Sequence, residues 1–391
     1  MIYLITGAGE PNFGDELIAL DWIKYYRAQG YTGPIFVDCK SGEGARKLHA
    51  GIEGVQFGRF LKALATGNDG SVSDYISRGR HFVDEALGKG KGDAASPALA
   101  TLKKITAADR PADFAATRFV HLVGGGYING DWNNSFSLIG GASQLAKQLG
   151  CSVVATGLGI APLDNLSTVD RISLANAIRD FDLFEVRDEI SMQLLGKNGV
   201  KGAKVVVGLD DSFLQPPETR STFEGRSLHL SLFGRHLDGE GGAKLMDLIK
   251  TLAKDYDRVL CWQCNAADEP ACARIEAELD KVKRLYNRAL LYNGMPIQAH
   301  DHMITSRFHP HLLAARSGIS GLYLVYSNFY SAKHQSVVDL GSPFKRFVPG
   351  AEIDFSQPSP NPMLEMDGER VRQKRRVGKN LATRAKRACG A

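Results

Sequence analysis

Short apolar segments alternate with helical ones along this chain, and that alternation constrains its fold more than any other feature. Ile2 to Thr6 predicts a buried strand, a glycine-containing turn runs from Gly7 to Asp15, and apolar residues then recur at helical spacing through Tyr26. The same order of strand, turn and helix repeats from Arg118 to Leu149 and from Ser152 to Phe181. Strands alternating with helices predict an α/β fold, in which helices cover both faces of a parallel sheet.

The length of the chain predicts two domains. Its 391 residues are too many for one ordinary hydrophobic core. A proline-containing segment from Gln215 to Glu218 interrupts the alternation, which resumes with a strand pattern at Ser227. The predicted domains are an N-terminal Rossmann-like domain at residues 1–215 with an insertion at about 60–115, a C-terminal Rossmann-like domain at residues 220–345, and a C-terminal extension at residues 346–391.

The segment between residues 40 and 115 has no clear periodicity, unlike the segments on either side of it. Gly, Ala, Ser and Lys dominate from Gly88 to Ala100, a composition typical of a mobile insertion or a long loop. We therefore expect an insertion of that kind here, and the sequence assigns no function to it.

The basic residues of the chain concentrate near its C-terminus. The net charge is only +5, yet the segment from Arg370 to Arg387 contains nine lysines and arginines. Such a segment can contact the anionic inner surface of a membrane or nucleic acid, or it can be a solvated extension. No aromatic residues are interleaved with the basic ones, so a nucleic-acid partner is disfavoured.

The N-terminus and the cysteines predict a cytoplasmic protein. Met1 to Thr6 lacks the basic residues of a signal peptide, and no apolar stretch is long enough to span a bilayer. The six cysteines form no disulfide framework, and the pair Cys261 and Cys264 lacks the second pair that a structural zinc site needs. We expect reduced thiols, Cys261 in a strand core and no bound metal. If the basic segment binds a membrane, we expect the protein at its inner face.

The stretch from Ile304 to Lys333 predicts an anion site. Ser306 resembles a helix N-cap, and Arg307 and His309 fall in the first turn of the predicted helix. A helix N-terminus favours anions through its free N–H groups and its dipole, and an arginine and a histidine there add charge. Lys333 is predicted on a loop after the next strand, from which a further cation can reach the same anion. The alternative is that Arg307 pairs with a surface carboxylate and that His309 only packs.

Further polar residues and glycines lie at predicted strand ends of the first domain. Asp15 is either a catalytic carboxylate or a helix N-cap. Gly124 to Gly126 follow a strand, which indicates that a ligand or a neighbouring strand approaches the backbone closely. Asn129 and Arg187 also occupy strand ends. Ligands of parallel α/β sheets bind beyond the carboxyl ends of the strands, so these residues can share one rim.

Five motifs, taken in order, resemble those of the polysaccharide pyruvyl transferase family. They are Asn12-Phe13-Gly14-Asp15, Gly124-Gly125-Gly126, Gly157-Leu158-Gly159-Ile160-Ala161-Pro162, Arg187-Asp188 followed by Ser191, and Ser306-Arg307-Phe308-His309, and Tyr326 and Lys333 also fit. The resemblance covers residues 1 to about 345. Pro11 stands where the family often has glycine, and the insertion and the basic tail lie outside the pattern.

The resemblance implies a glycosyltransferase-B-like fold with two Rossmann-like domains facing a cleft. It also implies transfer of pyruvate from phosphoenolpyruvate to a saccharide or lipid-linked glycan, giving a ketal, in the synthesis of bacterial polysaccharide or cell-surface glycan. Catalytic roles fall to His309, Asp15 and Arg187, with His309 as general acid and Asp15 as the base for the incoming hydroxyl. The implied substrate-binding residues are Arg307, Lys333, Asn12, Gly14, Gly125, Asn129 and Ser306. No cofactor is expected beside the donor substrate.

Two other functions compete with this interpretation. A nucleotide-sugar-dependent glycosyltransferase of the same fold would need a carboxylate to hold a ribose in the second domain, near Asp301 or Asp339. A non-catalytic protein that binds nucleic acid through the basic tail would show an affinity that falls steeply with salt. The Arg-x-His sequence at residue 307 favours a small anion over a nucleotide sugar.

Overall fold

The computed structural model describes residues 1–67, 69–90, 96–164, 166–351, 353, 355 and 360–390. It divides into two units. The first contains residues 1–10, 15–214 and 372–391, and the second contains residues 11–14 and 215–371. The division after Leu214 lies beside the predicted linker. The basic C-terminal segment groups with the first unit, whereas the sequence predicted a separate extension at 346–391.

A parallel sheet forms the centre of the first unit and, in the described residues, has seven strands in the order β3-β2-β1-β4-β5-β6-β7. The strands are β1 (Ile2–Ile5), β2 (Ile35–Asp38), β3 (Val55–Gly58), β4 (Phe119–Leu122), β5 (Ser152–Leu158), β6 (Leu183–Val186) and β7 (Val205–Val207). Ile2 of β1 lies between Ile35 of β2 and Phe119 of β4. The strand order reverses between β1 and β4, the position at which ligands bind in such sheets.

Helices cover both faces of this sheet. They are α1 (Phe13–Ala28), α2 (Gly42–Leu48), α3 (Val72–Ala86), α4 (Pro97–Lys104), α5 (Phe136–Leu149), α6 (Thr168–Ile178) and α7 (Glu189–Lys197). Side chains alternate across β1: Tyr3 and Ile5 belong to one buried cluster, and Ile2 and Leu4 belong to another. The strand is buried on both sides, as its uninterrupted apolar sequence predicted.

The second unit repeats this architecture with a parallel sheet in the order β10-β9-β8-β11-β12-β13 across the described residues. Its strands are β8 (Ser227–Ser231), β9 (Arg258–Gln263), β10 (Val282–Tyr286), β11 (His302–Thr305), β12 (Ser320–Tyr323) and β13 (Lys345–Arg346). Its helices are α8 (Gly239–Ala253), α9 (Glu269–Glu278), α10 (Asn287–Tyr292), α11 (Phe308–Arg316), α12 (Asn328–Asp339) and α13 (Pro362–Glu365). The strand order reverses between β8 and β11, which pair in register from His302 beside Leu228.

The weakly patterned region at about 60–115 is more regular than the sequence predicted. It contains α3 and α4, and α3 begins with a capping box in which Ser71 and Asp74 bond each other's backbone. Gly79 of α3 lies against α5, where an added Cβ would meet the carbonyl oxygen of Ser137. The prediction of a long loop from Gly88 to Ala100 is therefore wrong for residues 97–100, which belong to α4. Residues 91–95 of the predicted loop lie outside the described residues.

Two element types between residues 276 and 292 were predicted wrongly. The residue pattern predicts a helix from Glu276 to Tyr286 and a strand from Ala289 to Tyr292. In the structure Val282–Tyr286 is strand β10 and Asn287–Tyr292 is helix α10. β10 lies at the edge of its sheet and exposes Lys283. Charged residues are common on edge strands. In this segment they produce a sequence pattern similar to that of a helix with one polar face.

The basic C-terminal segment forms a long helix, α14 (Asp367–Cys389). Leu381, Ala382 and Ala385 are buried in the same cluster as Ile2 and Leu4. Lys374 is 1% exposed, so one face of the helix is part of the first unit rather than a solvated tail. Among the described residues, no helix combines the length and apolarity needed to cross a bilayer.

Candidate active site

The first turn of α11 in the second unit carries the predicted anion-binding residues. The helix begins at Phe308, so Arg307 rather than Ser306 is its N-cap residue. Ser306 Oγ instead accepts a hydrogen bond of 2.9 Å from the backbone N–H of Phe233, in the loop after β8. Thr305 Oγ1 accepts from the Arg307 N–H at 2.9 Å. The N-cap prediction for Ser306 is wrong, and its hydroxyl joins the two loops at the reversal point of the sheet.

The Arg307 side chain is held by a buried carboxylate and an aromatic ring. Its guanidinium pairs with Asp268, to which Nε donates at 3.0 Å, and Cζ lies 3.5 Å from the ring centroid of Phe233. Burial raises the pKa of Asp268, and the Arg307 charge opposes that rise. Arg307 therefore pairs with a carboxylate, as the alternative interpretation expected, but Asp268 is buried rather than on the surface. The guanidinium is therefore fixed in position and partly neutralised.

His309 explains the glycine of the first motif. A Cβ added to Gly14 would lie 1.7 Å from Nδ1 of His309 and 2.1 Å from its Cγ. Only glycine can lie this close to the imidazole, so Gly14 makes room for the ring. His309 is 8% exposed, and Phe308 packs edge-on to it at a centroid distance of 4.9 Å.

Residues 11–14 are attached to the end of β9. The Phe13 N–H donates to the Cys264 carbonyl oxygen at 2.9 Å, and Asn265 Nδ2 donates to the carbonyl oxygen of Pro11 at 3.1 Å. The Phe13 ring packs edge-on against Trp262 at 6.0 Å. These contacts fix the backbone of the segment that contains Asn12 and place its glycine beside His309.

Aromatic rings surround Arg307, and one of them contacts Arg235, a cation that is not among the predicted site residues. Tyr326 and Tyr330 lie 5.2 and 5.4 Å from Phe233 between ring centroids, and Arg235 Cζ lies 4.7 Å above the Tyr326 ring. Burial, together with the charges of Arg235 and Arg307, lowers the pKa of the neighbouring His236 to about 4. Arg235 and His236 lie in the turn Gly234–Leu237, soon after β8. Their position after a strand is the sequence feature that could have identified them as site residues.

Lys333 lies within helix α12, not on a loop as predicted. The helix starts five residues earlier, at Asn328, where Ser327 is the N-cap. The Lys333 ammonium lies 3.8 Å from the ring centroid of Phe329 and 5.3 Å from that of Tyr330. It therefore borders the same aromatic cluster that surrounds Arg307.

In the first unit, Asp15 lies at the reversal point between β1 and β4. Helix α1 begins at Phe13, so Asp15 is a first-turn residue and not the N-cap. A Cβ added to Gly7 would lie 2.8 Å from its Oδ2, and one added to Gly125 would lie 3.2 Å from its Oδ1. The two glycines thus make space for the carboxylate, and the free N–H groups of the helix start favour its charge.

Groups of the protein itself lie close to the glycines of the motifs after β4 and β5. The Gly124 N–H donates to Asp211 Oδ2 at 2.7 Å, and a Cβ on Gly157 would meet Asp211 Oδ1 at 2.7 Å. The Gly159 N–H donates to the Gly125 carbonyl oxygen at 2.9 Å. The groups that approach these glycines are therefore the adjacent loop and a buried carboxylate. The same loop contacts hold Gly125 beside Asp15.

Asn129 and Arg187 are both engaged within the first unit. Asn129 Nδ2 donates to the Gly126 carbonyl oxygen at 2.7 Å, and its Oδ1 accepts from the Asp131 N–H at 2.9 Å. Arg187 Nη1 donates to Asp210 Oδ2 at 3.0 Å. Asn129 therefore shapes the loop after β4, and Arg187 belongs to a buried ion pair.

The motif of Arg187, Asp188 and Ser191 has a structural explanation. Asp188 is the N-cap of α7 and accepts from the Ser191 N–H at 2.7 Å. Ser191 Oγ accepts from the Ile160 N–H at 3.1 Å, which fastens the glycine loop after β5. A Cβ on Gly159 would lie 2.7 Å from Arg187 Nε, so that loop lies directly on the guanidinium.

The cysteines and acidic residues form no metal centre in the part of the chain that the structure describes, where no group of three or more His, Cys, Asp or Glu side chains is arranged to hold an ion. Cys261 is buried in β9, as predicted, and its Sγ lies 2.9 Å from that of Cys272. The hydrogen bond with Cys272, together with burial, raises the pKa of the Cys261 thiol.

The predicted site residues thus fall into two groups. Those in the second unit are Asn12, Gly14, Ser306, Arg307, His309 and Lys333, and those in the first unit are Asp15, Gly125, Asn129 and Arg187. Ser306 and Arg307 follow β11, and Gly125 and Asn129 follow β4, the strands at the reversal points of the two sheets. These residues lie at the carboxyl ends of parallel strands, where ligands of α/β proteins bind.

The whole chain shares its fold with sugar-nucleotide enzymes. A UDP-GlcNAc 2-epimerase from Methanocaldococcus jannaschii aligns with a TM-score of 0.55 and 11% identity over 98% of this chain and 99% of that one. A Listeria monocytogenes protein assigned to the UDP-N-acetylglucosamine 2-epimerases aligns with a TM-score of 0.51 and 9% identity over 97% and 90%. This confirms the predicted glycosyltransferase-B-like class of two Rossmann-like α/β units.

The sequence also identifies the family. The family model described as polysaccharide pyruvyl transferase matches residues 12–328, well over half of the chain. This chain therefore belongs to the polysaccharide pyruvyl transferase family, as the five motifs predicted, and at family level it is an enzyme, a transferase. No curated protein matches it at a significant level of sequence similarity.

Proposed function

We propose that this protein transfers pyruvate from phosphoenolpyruvate to two hydroxyls of a saccharide, forming a ketal in the synthesis of a bacterial polysaccharide or cell-surface glycan. The observation that carries the proposal is the conjunction of Arg307 and His309 in the first turn of α11. A buried carboxylate fixes the arginine, and the imidazole lies against Gly14.

The charge distribution of the second unit suits a small phosphorylated acid. Arg307, Arg235 and Lys333 each contact the ring cluster formed by residues such as Phe233 and Tyr330. Phosphoenolpyruvate carries a phosphate and a carboxylate on three carbons, so it needs several cationic donors within a small volume. Aromatic walls exclude water and strengthen such contacts.

The chemistry requires one proton to arrive and two to leave. His309 donates a proton to the methylene carbon of the enol, and positive charge develops at the adjacent carbon that bears the phosphate oxygen. A saccharide hydroxyl bonds to that carbon as Asp15 takes its proton. The second hydroxyl then bonds to the same carbon, the carbon–oxygen bond to phosphate breaks, and inorganic phosphate leaves with its bonding electrons while the second hydroxyl loses its proton.

Arg187 has a structural role in this proposal rather than a role in binding the donor. Its guanidinium is paired with Asp210 and lies 3.6 Å from Asp188, so much of its charge is already balanced. It underlies the backbone at Gly159. We therefore assign it the role of holding the glycine loop.

A nucleotide-sugar-dependent glycosyltransferase is less well supported. The carboxylate that such an enzyme would use near the second sheet, Asp301, is 1% exposed and accepts from the Ser227 N–H at 2.7 Å and from His229 Nε2 at 2.9 Å. Asp339 accepts from Gln335 within α12. Neither is arranged to hold a ribose.

We also propose that α14 brings the enzyme to the inner surface of the membrane, where lipid-linked acceptors are made. Its buried face packs on the first unit, and Arg372, Arg376, Lys379 and Arg387 are exposed along the helix. Each basic side chain near an anionic surface contributes about 1 kcal/mol.

The proposed donor is tested by incubating the enzyme with saccharide acceptors and either phosphoenolpyruvate or UDP-sugars. We expect release of inorganic phosphate, together with an acceptor that has gained one pyruvyl ketal by mass spectrometry. Release of UDP from a UDP-sugar, with no phosphate from phosphoenolpyruvate, would support the glycosyltransferase instead.

A further inference from the structure

The turn after β8 carries an arginine whose charge no carboxylate of the described residues balances. Arg235 belongs to the turn Gly234–Leu237, and β8 lies at the reversal point of the second sheet. Arg235 is exposed, and its Cζ lies 4.7 Å from the ring centroid of Tyr326. No ion pair within the described part of the chain includes it. An aromatic face therefore orients this guanidinium without neutralising it.

The next residue, His236, has a buried nitrogen without a hydrogen-bond partner. In the described residues nothing bonds its Nε2 atom. The imidazole lies 5.4 Å from the Tyr326 ring and 6.3 Å from the Phe233 ring between centroids. Burial, with the charges of Arg235 and Arg307, lowers the pKa of His236 to about 4, so the ring is uncharged near neutral pH. One ring nitrogen then carries a hydrogen, and a ligand oxygen that accepted it from Nε2 would remove the cost of an unpaired polar atom.

The aromatic rings connect this turn to Arg307. The Phe233 and Tyr326 rings lie 5.2 Å apart, Arg307 contacts the first, and Arg235 contacts the second. The second unit thus has two guanidiniums on adjoining rings. They differ in free charge, because Asp268 pairs with Arg307 and no carboxylate of the described residues pairs with Arg235.

The two anionic groups of phosphoenolpyruvate also differ in charge. Its carboxylate carries one negative charge, whereas a phosphate monoester carries about −1.5 to −2 near neutral pH. The more highly charged group gains most from a cation that is not already balanced. A guanidinium and a neighbouring N–H donor suit the several acceptor oxygens of a phosphate.

We propose that Arg235 and His236 bind the phosphate group of the donor, while Arg307 and the first turn of α11 take its carboxylate. This inference rests on the proposed function and divides the donor site into two subsites. The shared chemistry is a phosphate group, so a nucleoside diphosphate is the other possible source of the ligand.

Two small probes test the division by calorimetric titration. Inorganic phosphate contains only the first group, and pyruvate contains only the carboxylate. In Arg235→Gln, inorganic phosphate and phosphoenolpyruvate should bind at least about tenfold more weakly, whereas the affinity for pyruvate should stay within about twofold. Unchanged phosphate affinity in folded Arg235→Gln, or equal losses for phosphate and pyruvate, overturns the assignment.

Arg226→Gln is the matched control. Arg226 is also exposed and also lies over a ring, with Cζ 4.9 Å from the centroid of Tyr256. It precedes β8, whereas Arg235 follows that strand. Its replacement should leave the affinities for all three ligands unchanged.

The part played by His236 is tested by two substitutions. His236→Phe keeps a planar ring but removes the N–H donor, and it should weaken phosphate binding at least about threefold without changing pyruvate binding. His236→Gln supplies an amide N–H and should retain more phosphate affinity than His236→Phe. Equal phosphate affinity in the wild type and in folded His236→Phe overturns this part. If His236→Phe does not fold, the comparison of His236→Gln with Arg235→Gln decides, because equal losses in those two variants mean that the amide N–H does not replace the imidazole.

The same titrations separate this inference from the proposed function. Phosphate binding that depends on Arg235, in an enzyme that forms no ketal from phosphoenolpyruvate, supports the subsite while the proposed function fails. UDP distinguishes the two sources of phosphate. A loss of UDP affinity in Arg235→Gln, with phosphoenolpyruvate affinity unchanged, would assign the turn to a nucleoside diphosphate and overturn its role in binding the donor.

Discussion

At the scale of single residues, the contact between Gly14 and His309 gives the sharpest test of the site. Gly14→Ala places a methyl group 1.7 Å from Nδ1 of His309, so the imidazole must move. We expect pyruvyl transfer to fall at least about tenfold while the protein stays folded, because displacement of a catalytic group by about 1 Å has effects of this size or larger. Phosphate release and circular dichroism measure the two outcomes.

Gly241→Ala is the matched control for that substitution. Gly241 also lies in the first turn of a helix, α8, and an added Cβ there would have no neighbour within 4 Å. It should leave transfer unchanged. Full activity in a folded Gly14→Ala variant would mean that His309 either tolerates the shift or takes no part in the reaction.

Individual site residues were predictable where a local signal marked them. Arg307 and His309 stand at a strand end, and glycines such as Gly14 indicated close approach, although not what approached. The partner of Arg307 was not predictable, because Asp268 lies 39 residues away from it in the sequence. Pairings of this kind depend on tertiary structure that a linear pattern does not contain.

At the scale of elements, α14 shows that a basic composition alone does not indicate which cations are buried. Lys374 donates to Glu185 at 2.5 Å and lies 2.6 Å from Asp211. Burial alone would lower the pKa of Lys374, but these two carboxylates outweigh it and raise the value. Deleting the helix would remove the cation that balances both carboxylates, and the loss of one partner of a buried ion pair costs several kcal/mol. A deletion therefore cannot separate membrane contact from folding.

Point substitutions on the exposed face of α14 test the membrane proposal cleanly. The quadruple variant of Arg372, Arg376, Lys379 and Arg387 to Gln should bind vesicles of anionic phospholipid at least about tenfold more weakly at low salt, given about 1 kcal/mol per basic residue. Its activity on a soluble acceptor should not change. Vesicle co-sedimentation measures the binding.

The control for these four substitutions on α14 removes the same amount of charge from other elements of the protein. Lys24, Lys103, Lys201 and Lys254 are exposed on other elements, and their replacement by Gln should leave vesicle binding near the original value. Equal losses in both quadruple variants would show that net charge, not α14, governs attraction to the vesicles.

At the scale of the whole molecule, buried histidines link stability to pH. Burial lowers the pKa of His121, in the first unit, to about 3. Below about pH 6.5 the unfolded chain takes up a proton at this residue that the folded chain excludes, so stability falls as the pH falls towards 3. The loss is about 1.4 kcal/mol per pH unit for one such group.

A single substitution isolates this contribution from other titrating groups. His121 bonds the Tyr26 hydroxyl at 2.9 Å and Thr156 Oγ1 at 2.8 Å, and Gln can bond both without titrating. Between about pH 6.5 and about pH 5.5, the unfolding free energy of His121→Gln should fall about 1 kcal/mol less than that of the wild type. Urea unfolding at the two pH values measures this, and parallel losses would contradict it.

The architecture of the whole molecule was largely predictable from sequence. Buried parallel strands such as β1 and β4 are mostly apolar segments followed by glycine turns, a pattern that few other structures produce. Edge strand β10 and helix α3 were missed because one carries charges and the other lies in a segment without clear periodicity. Local sequence thus predicted the interior of both sheets better than their margins.

The most direct test of the central claim, that this chain binds phosphoenolpyruvate through Arg307 and His309, is calorimetric titration with phosphoenolpyruvate. The wild type and the exposed-site control His81→Ala should bind it equally, and His309→Ala should bind at least about tenfold more weakly, because a charge-assisted hydrogen bond contributes about 1.5–3 kcal/mol. Binding of UDP-N-acetylglucosamine but not phosphoenolpyruvate by the wild type, or equal phosphoenolpyruvate affinity in folded His309→Ala, would contradict the claim.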